Sequence, residues 1–529
     1  MGTQLAVVRL SSRLVRRGAL LVALGAAVYV VVEALSYEAT YPDAASRARL
    51  AELGSEPAVR MMDGLPYAVD TVGGFVVWDG GWFLQALVGI WALVTVSRLL
   101  RGEEDAERAE LVLAGPLSAT RAVALQLLVV VTACLAVGLA VAGTLAAVGA
   151  QPAGSVAFGL AVAGFGATFA GVAAVTSQLF EVRRRAVGAA AITLGLAFLL
   201  RMVANSADER SWVAWLTPFG WADRLRGFGE NRWPVLLVHL GVVVLLASTA
   251  LLLRRHRDIG TAWIATTDSP RPRLRLLGSP EAFAWRSSRG VLVAWAAGLV
   301  IYSFVLGTLV VTMTDVLMED ETYRSTLELF GIDLDEVTQG LLGVMGVLFG
   351  LVLALYAAWR VGAARSEEAS SRLENLLTRP LSRRRWLGGH ALLTLVSVVL
   401  LTAATGLALW IGAGVAGSDL GLGDAVASVA NTLPLVVLFG GVAVLVLGAA
   451  PRLTVGLTVG LAALMYVLQL VGPALDWPSY VVGISPFHHL AIVPAEPYAL
   501  TAGLVMAGLG TVAALAGLEA FQRRDLAGD

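Results

Sequence analysis

Twelve separate stretches of this 529-residue chain are each long and apolar enough to cross a lipid bilayer. A bilayer core takes about 20 mainly apolar residues per helix, and a spanning backbone must satisfy its own hydrogen bonds, which favours helices. With 57% hydrophobic and 15% charged residues, the composition excludes an ordinary soluble protein. The stretches lie near residues 19–35, 82–100, 122–148, 154–180, 186–204, 234–253, 290–313, 340–363, 387–416, 424–450, 453–472 and 498–519. The sequence therefore predicts an all-α integral membrane protein with twelve transmembrane helices.

Arginine placement gives the expected orientation of these helices, because basic residues accumulate in cytoplasmic loops. Most of the 38 basic residues, all of them arginine, fall on the inner side if the N-terminus is cytoplasmic. An even number of spans returns the chain to the side where it began. We therefore expect both termini to be cytoplasmic and the protein to be a multi-pass component of the cytoplasmic (inner) membrane of a prokaryote.

The chain also contains an internal repeat. Residues Arg101–Arg121 align without gaps on Arg365–Arg385 at an offset of 264, and ten of the 21 positions are identical. Weaker matches at similar offsets pair Thr217–Phe219 with Ser485–Phe487 and Arg257–Asp258 with Arg524–Asp525. Six spans in each half is an even number, so both halves enter the membrane from the same side. The sequence predicts two fused six-helix parallel repeats, residues 1–270 and 271–529.

Both copies of the repeated motif predict a short helix between the second and third spans of their half. Glu104 and Arg108 stand four residues apart, as do Glu368 and Arg372. An acid four residues before a base favours a helix by a few tenths of a kcal/mol, about 0.2–0.5. A solvated, charged loop is the plain alternative. Because both copies keep the same ten residues while the surrounding spans have diverged, we favour a docking function on the cytoplasmic face.

The residues that follow these helices predict how they end. Pro116 and Pro380 stop them, because a proline disfavours helix at the preceding residue. Ser118 and Ser382 then suit the N-cap of the next membrane helix, where a hydroxyl accepts from a free backbone N–H. Motion of each short helix would therefore be passed directly to a span.

The repeated string R-x-E-E…R-x-E-x-L…P-L-S…R resembles the coupling segment of type-2 ABC exporter permeases, and more narrowly the polyketide-antibiotic (tetronasin-resistance-like) branch. Residues Ser177–Phe228 resemble the fourth-to-fifth span of that branch and its following loop. The resemblance implies amphipathic elbow helices at Leu5–Arg17 and Glu281–Arg289. It implies that the coupling segments contact a partner ATPase through Glu103, Glu104, Arg108, Glu110, Pro116, Glu367, Glu368, Arg372, Glu374 and Pro380.

The same resemblance implies a homodimer of a separate ABC ATPase as the partner, with ATP and Mg bound by that partner and no cofactor in this chain. The sequence agrees, because the chain has no lysine and a Walker-type phosphate loop requires one. Its single cysteine, Cys134, excludes an intrachain disulfide and a cysteine-based metal site. The neighbours His488 and His489 cannot face one metal from a regular helix, so we expect no metal site. No nucleic-acid partner is expected; the other partners are membrane lipid and a hydrophobic substrate.

Polar residues within the predicted spans are few, and each is a functional hypothesis, since a charge at the bilayer centre costs about 2.5–3.5 kcal/mol. Arg201 either reaches the membrane surface or belongs to an outer gate, and Glu33 lies near the outer edge of its span. Gln469 makes an interhelical hydrogen bond or contacts a ligand. No acidic residue is evident in mid-membrane, which disfavours ion-driven transport. The candidate substrate path or outer gate comprises Phe198, Arg201, Pro218, Phe219, Gln469, Pro486 and Phe487.

Together these features predict the membrane subunit of an ATP-driven exporter for a hydrophobic or amphipathic small molecule, itself not an enzyme. The outward direction is implied by the resemblance alone. A non-transporting envelope or signalling subunit that uses the same ATPase coupling is the first alternative, and an ion-driven secondary transporter is the second.

Overall fold

The computed structural model describes residues 2–264, 279–319, 334–369, 372–378, 381–474 and 477–526. Within this part of the chain, twelve helices have the length and apolar composition of membrane spans, which confirms the predicted all-α membrane fold. The chain divides into two compact units, Met1–Pro270 and Arg271–Asp529, each described by itself below.

The first half contains eleven α-helices in its described residues, six of which carry the spans. They are α1 (Gly2–Thr40), α2 (Ala44–Leu53), α3 (Pro57–Asp63), α4 (Val72–Ser97), α5 (Glu103–Asp105), α6 (Arg108–Leu113), α7 (Ala119–Ala147), α8 (Pro152–Leu179), α9 (Arg183–Asn205), α10 (Pro218–Leu225) and α11 (Leu236–Arg255). One π-helical turn, Arg98–Gly102, joins α4 to α5, and a 3-10 helix, Asp208–Leu216, precedes α10.

The described residues of the second half repeat the order of the six spans. Their helices are α12 (Pro280–Glu319), α13 (Leu334–Ala369), α14 (Arg372–Leu377), α15 (Arg383–Val415), α16 (Leu422–Ala430), α17 (Leu433–Ala449), α18 (Thr454–Ala474), α19 (Ser479–Val482) and α20 (Leu500–Arg523). Helices α16 and α17 together form one span, Leu422–Ala449, which corresponds to α8 of the first half.

The same neighbours surround the same helices in each half. In the first half α8 is the most buried span and packs against α4, α7 and α11, while α1 packs against α7. In the second half α16 and α17 pack against α13, α15 and α20, while α12 packs against α15. This common arrangement is the structural counterpart of the sequence repeat.

Glycines allow the spans to approach closely, as is usual where helices pack in lipid. A Cβ on Gly138 of α7 would lie 2.2 Å from the carbonyl oxygen of Gly159 on α8. In the second half, a Cβ on Gly441 or Gly448 of α17 would lie 1.9 or 2.2 Å from a backbone oxygen of α20. Any larger residue at these positions would force the two helices apart.

Three features differ from the sequence expectations. The implied elbow at Leu5–Arg17 is not a separate helix, because α1 runs unbroken from Gly2 to Thr40 and no proline interrupts that stretch. The second elbow, Glu281–Arg289, likewise forms the beginning of α12. The second span begins at Val72, about ten residues before its predicted start.

Candidate functional site

The first copy of the motif, Arg101–Arg121, forms two short helices. They lie at the same end of the first half as the N-terminus. Glu107 separates α5 from α6 with a left-handed backbone, φ 59°. Ser118 caps α7 by accepting from the N–H of Arg121, and Ser382 caps α15 in the same way, which confirms both predicted N-caps.

Glu104 is held inside the protein by three arginines. Its carboxylate accepts hydrogen bonds from Arg101 at 2.6 Å and from Arg257 at 2.5 and 2.7 Å. Arg254 lies 3.7 Å from the same group. The Glu104 side chain is 8% exposed and those of the arginines 2%. This buried cluster, the Glu104 clamp, ties the motif to the end of α11 and the residues that follow it.

Arg101 extends the Glu104 clamp to a further part of the first half. It donates to the carbonyl of Glu181, in the α8–α9 connection, at 2.5 Å and to that of Thr261 at 3.0 Å. The N–H of Arg183, at the start of α9, also donates to Asp105 of the motif at 2.9 Å. The motif is therefore joined to three spans besides α4 and α7: α8, α9 and α11.

The second copy of the motif, Arg365–Arg385, repeats the Glu104 clamp in a simpler form. Arg524, which follows α20, donates to both oxygens of Glu368, at 2.5 and 2.7 Å. The Glu368 side chain is 1% exposed, and the guanidinium of Arg524 also lies 4.9 Å from the ring centroid of Phe521. Equivalent carboxylates of the two halves therefore bind the C-terminal end of the sixth span of their own half, α11 or α20.

These contacts correct one expectation of the sequence analysis. The expected pairing of Glu104 with Arg108 across one helical turn is wrong, because Glu107 breaks the helix between α5 and α6. Arg108 binds Glu103 instead, at 2.8 and 3.0 Å. Sequence reasoning noticed that Arg257 matches Arg524 but did not connect either arginine to the motif; that weak match was the available signal.

The motif also presents an exposed surface. In the first copy Arg108, Glu110 and Pro116 are exposed, and the apolar side chain of Leu111 is 79% exposed. The side chain of Glu103 is 22% exposed. An acidic face with one protruding leucine suits contact with a basic, partly apolar protein surface.

In the second copy, Glu374 is exposed and Glu367 is half-buried, accepting from the indole N–H of Trp386 at 3.3 Å. The imidazole of His390 lies 3.7 Å from Glu367. Arg372 begins α14, but its side chain and the whole of Pro380 lie outside the described residues.

Arg201 is the centre of a second buried cluster, at the opposite end of the first half. Its guanidinium pairs with Asp223 at 2.8 Å and also donates to the carbonyls of Met62 and Asp63, the latter at 2.7 Å. Arg201 is 2% exposed. The guanidinium is therefore enclosed by protein, and it joins α9 to the two segments that we call the cap, residues 41–71 and 206–235.

The predicted aromatic residues of the first half lie next to each other where the cap meets the spans. The ring of Phe198 is 5.3 Å from that of Trp82 and 5.5 Å from that of Phe219. Phe219 in turn lies 4.5 Å from Phe165, and Pro218 begins α10. Arg201, Phe198 and Phe219 thus lie in one region of the first half, and their role in a substrate path stays a prediction.

The matching stretch of the second half is built in the same way. The hydroxyl of Thr217 donates to the carbonyl of Ala197 at 2.6 Å, and that of Ser485 donates to Met465 at 2.7 Å. Thr217 and Ser485 are 268 residues apart in sequence, and so are Ala197 and Met465, which supports the repeat.

Pro486 and Phe487 follow in a 3-10 turn, Pro486–His489, where the Phe487 ring lies 5.3 Å from that of Tyr466. Gln469 does not show the expected interhelical hydrogen bond, since its buried Oε1 has no donor among the described residues.

Sequence reasoning missed one acidic residue inside a span. Because α4 begins at Val72, Asp79 lies within the helix, and its carboxyl group lies close to that of Glu33 on α1. The sequence did not show that Asp79 lies in a span, because the second apolar run starts only after this residue.

Asp63 at the end of α3 carries a perturbed carboxyl group. Burial and the nearby Asp79 raise the pKa of Asp63 to about 8, against the opposing effect of Arg201. The indole N–H of Trp82 donates to this carboxyl group at 3.2 Å. Across the described residues, no group of three or more His, Cys, Asp or Glu side chains has the geometry to hold a metal ion.

Comparison with known proteins places this arrangement in a family. A family profile described as "Multidrug efflux system permease Rv1217c, C-terminal domain" matches residues 7–255 and 277–522, one stretch in each half. The chain belongs to this family of multidrug efflux permeases. It is 32% identical over 507 residues to the multidrug efflux system permease protein Rv1217c of Mycobacterium tuberculosis (strain ATCC 25618 / H37Rv), a match that covers 95% of this chain and 90% of that protein. The narrower tetronasin-resistance-like branch gains no support from these comparisons.

Proposed function

We propose that this efflux permease is the membrane subunit of an ATP-driven exporter, powered by a homodimer of a separate ATPase bound at the two motif copies. The observation that carries the proposal is the paired construction of these copies. Each has a buried carboxylate, Glu104 or Glu368, that is fixed to the C-terminal end of the sixth span of its half. A force applied to either motif would therefore move several spans together.

This proposal divides the motif residues into two groups. The exposed groups of the first copy, with Glu374 of the second, supply the docking surface for the ATPase. Glu104 and Glu368 do not face outward, so their role is to transmit the movement rather than to touch the partner. Both termini and both motif copies would lie on the cytoplasmic side of the inner membrane.

In this mechanism, the ATPase holds ATP and Mg and supplies the chemical energy, and this chain supplies the path. Closure of the ATPase dimer would move both motif copies, and their carboxylate–arginine pairs would carry that movement into the spans. The buried aromatic region around Phe198 and Phe219 suits a hydrophobic or amphipathic molecule. The relative is a multidrug efflux permease, which supports such a cargo.

Co-purification tests the docking surface. Glu110→Lys and Glu374→Lys reverse two exposed charges, and the double variant is expected to lose the ATPase while remaining folded. Glu209→Lys is the matched control, because Glu209 is equally exposed but lies in the cap. Retention of the ATPase by the double variant at the level of the control would refute the docking assignment.

An ion-driven transporter is the second candidate, favoured by the Glu33–Asp79 carboxyl pair within the spans. It predicts uptake or efflux driven by a proton gradient in vesicles that lack the ATPase. Asp79→Asn would abolish that transport. An ATP-driven exporter predicts none in the same vesicles.

A further inference from the structure

Four arginines line one cavity in the cap of the first half. The cavity has a volume of about 340 Å³. Its walls come from α3 and the α3–α4 connection, the end of α9, the 3-10 helix before α10, and α10 itself with the residues after it. Small-molecule sites usually enclose roughly 300–1,000 Å³, so this space can take a head group or a small organic anion. The arginines are Arg60, Arg224, Arg226 and Arg232.

The two carboxylates in the cavity wall, Asp208 and Asp223, do not balance the charge of its four arginines. Asp223 is bound to Arg201, which is outside the lining, at 2.8 Å. Asp208 pairs with Arg60. Its side chain is 83% exposed, so solvent screens that pair. The wall therefore keeps a net positive charge.

Arg224 is the least neutralised of the four. It donates to the carbonyl of Ser211 and its guanidinium lies 5.0 Å from the ring centroid of Trp215. Among the described residues it has no carboxylate partner. A guanidinium without a carboxylate partner can form charge-assisted hydrogen bonds with an anion that enters the cavity.

Arg226 and Arg232 complete the charged wall towards solvent. Arg226 pairs with Glu230 at 2.9 Å, and its guanidinium lies 4.5 Å from the ring centroid of Tyr67, another lining residue. Arg232 binds the other oxygen of Glu230 at 2.6 Å. Glu230 is exposed and is not part of the lining. An incoming anion can therefore take its place beside the two arginines, and the displaced Glu230 carboxylate remains in solvent.

The surface beside the cavity is apolar and exposed. Trp212, Trp215 and Leu216 of the 3-10 helix are 61%, 46% and 59% exposed. Tryptophans of this kind are typical of a membrane–water interface, where one part of a ligand is apolar and another is hydrated. A molecule with a charged head and an apolar body matches both the cavity and this rim.

We propose that the cavity binds the anionic head group, a carboxylate or a phosphate, of an amphipathic molecule whose apolar part lies along Trp212 and Leu216. This site is separate from the motif copies, and its occupation requires no ATPase. A membrane phospholipid and an exported amphipathic acid carry the same chemistry. The experiment below distinguishes these two sources.

The test uses the full-length chain in nanodiscs of neutral phosphatidylcholine. Decanoate is titrated as the soluble amphipathic anion and decanol as its neutral counterpart. In a second arm, native mass spectrometry compares retained phosphatidylglycerol with retained phosphatidylcholine. Arg224→Gln and Arg232→Gln remove cavity charges. Arg210→Gln is the matched control, because Arg210 is an exposed arginine of the same segment that does not line the cavity.

We expect one or both anions to bind the wild type more tightly than the neutral molecule. Each cavity variant should weaken anion binding about tenfold, the effect of one charged contact of about 1.4 kcal/mol, while Arg210→Gln stays within about twofold of the wild type. Binding of phosphatidylglycerol alone would identify a lipid site, and binding of decanoate alone a site for soluble acids. If Arg224→Gln lowers the melting temperature, Arg232→Gln, at the exposed rim, decides the outcome. Equal binding of neutral and anionic probes, or unchanged binding in a folded Arg232→Gln, would overturn the proposal.

Discussion

Replacing Glu104 by glutamine removes the charge that three buried arginines share. Arg101 and Arg257 are hydrogen-bonded to this carboxylate, and Arg254 lies 3.7 Å from it. Glutamine keeps the shape of the side chain, but it leaves three guanidinium groups close together with little neutralisation. Asp105, 3.3 Å from Arg101 and 33% exposed, compensates only in part. Removing one partner of a buried ion pair costs about 3–5 kcal/mol.

The expected effect is local opening of the motif rather than global unfolding, because the apolar packing of the spans is unchanged. A loss of about 3 kcal/mol corresponds to roughly 100-fold faster amide exchange in α5 and α6. Hydrogen–deuterium exchange of the purified chain measures this directly. Protection within α7 and α8 should stay as in the wild type.

Glu103→Gln is the matched control, one residue earlier in the same helix. Glu103 pairs with Arg108, and their side chains are 22% and 59% exposed. Exposed pairs of this kind contribute about 0–1 kcal/mol, so exchange should rise by no more than about fivefold. Equal exchange in Glu103→Gln and Glu104→Gln would refute the reasoning that the Glu104 clamp holds the motif in place.

Three further predictions concern packing, pH and the cap. Gly138→Ala should lower stability by about 1–3 kcal/mol, because its Cβ would lie 2.2 Å from a carbonyl oxygen of α8. Gly143→Ala on the same helix has no atom within 4 Å and should not lower the melting temperature. Because the pKa of Asp63 is raised to about 8 from 3.8, its contribution to stability is present below about pH 4 and lost as the pH rises towards 8. The melting temperature of Asp63→Asn should therefore fall less than that of the wild type between pH 5 and 8; parallel curves would contradict this. Arg201→Gln should expose the cap to limited proteolysis at residues 41–71 while α7 stays protected, and an unchanged cleavage pattern would show that Arg201 does not hold the cap.

The features that the sequence predicted correctly depend on neighbouring residues or on repetition. Ser118 and Ser382 form N-caps because a hydroxyl at that position meets the free N–H groups of its own helix. The spans follow from the length of each apolar run. Thr217 and Ser485 make equivalent hydrogen bonds, each within its own half, because the repeat places them equivalently.

The features that it did not predict depend on tertiary contacts. The expected pairing of Glu104 with Arg108 assumed a continuous helix, whereas Glu107 takes a left-handed conformation that its residue type does not favour. The true partner, Arg257, lies 153 residues away, and no local spacing points to it. Asp79 was overlooked because the predicted apolar run begins at residue 82, after Asp79, whereas the helix itself begins at Val72.

ATP-dependent transport in reconstituted vesicles tests the central claim most directly. Vesicles that contain this chain together with the proposed partner ATPase should accumulate a hydrophobic fluorescent drug when ATP and Mg are added on the side of the motif copies. A non-hydrolysable ATP analogue, or omission of the ATPase, should reduce accumulation to the level of protein-free vesicles. Accumulation that persists without the ATPase and responds to a proton gradient would contradict the account.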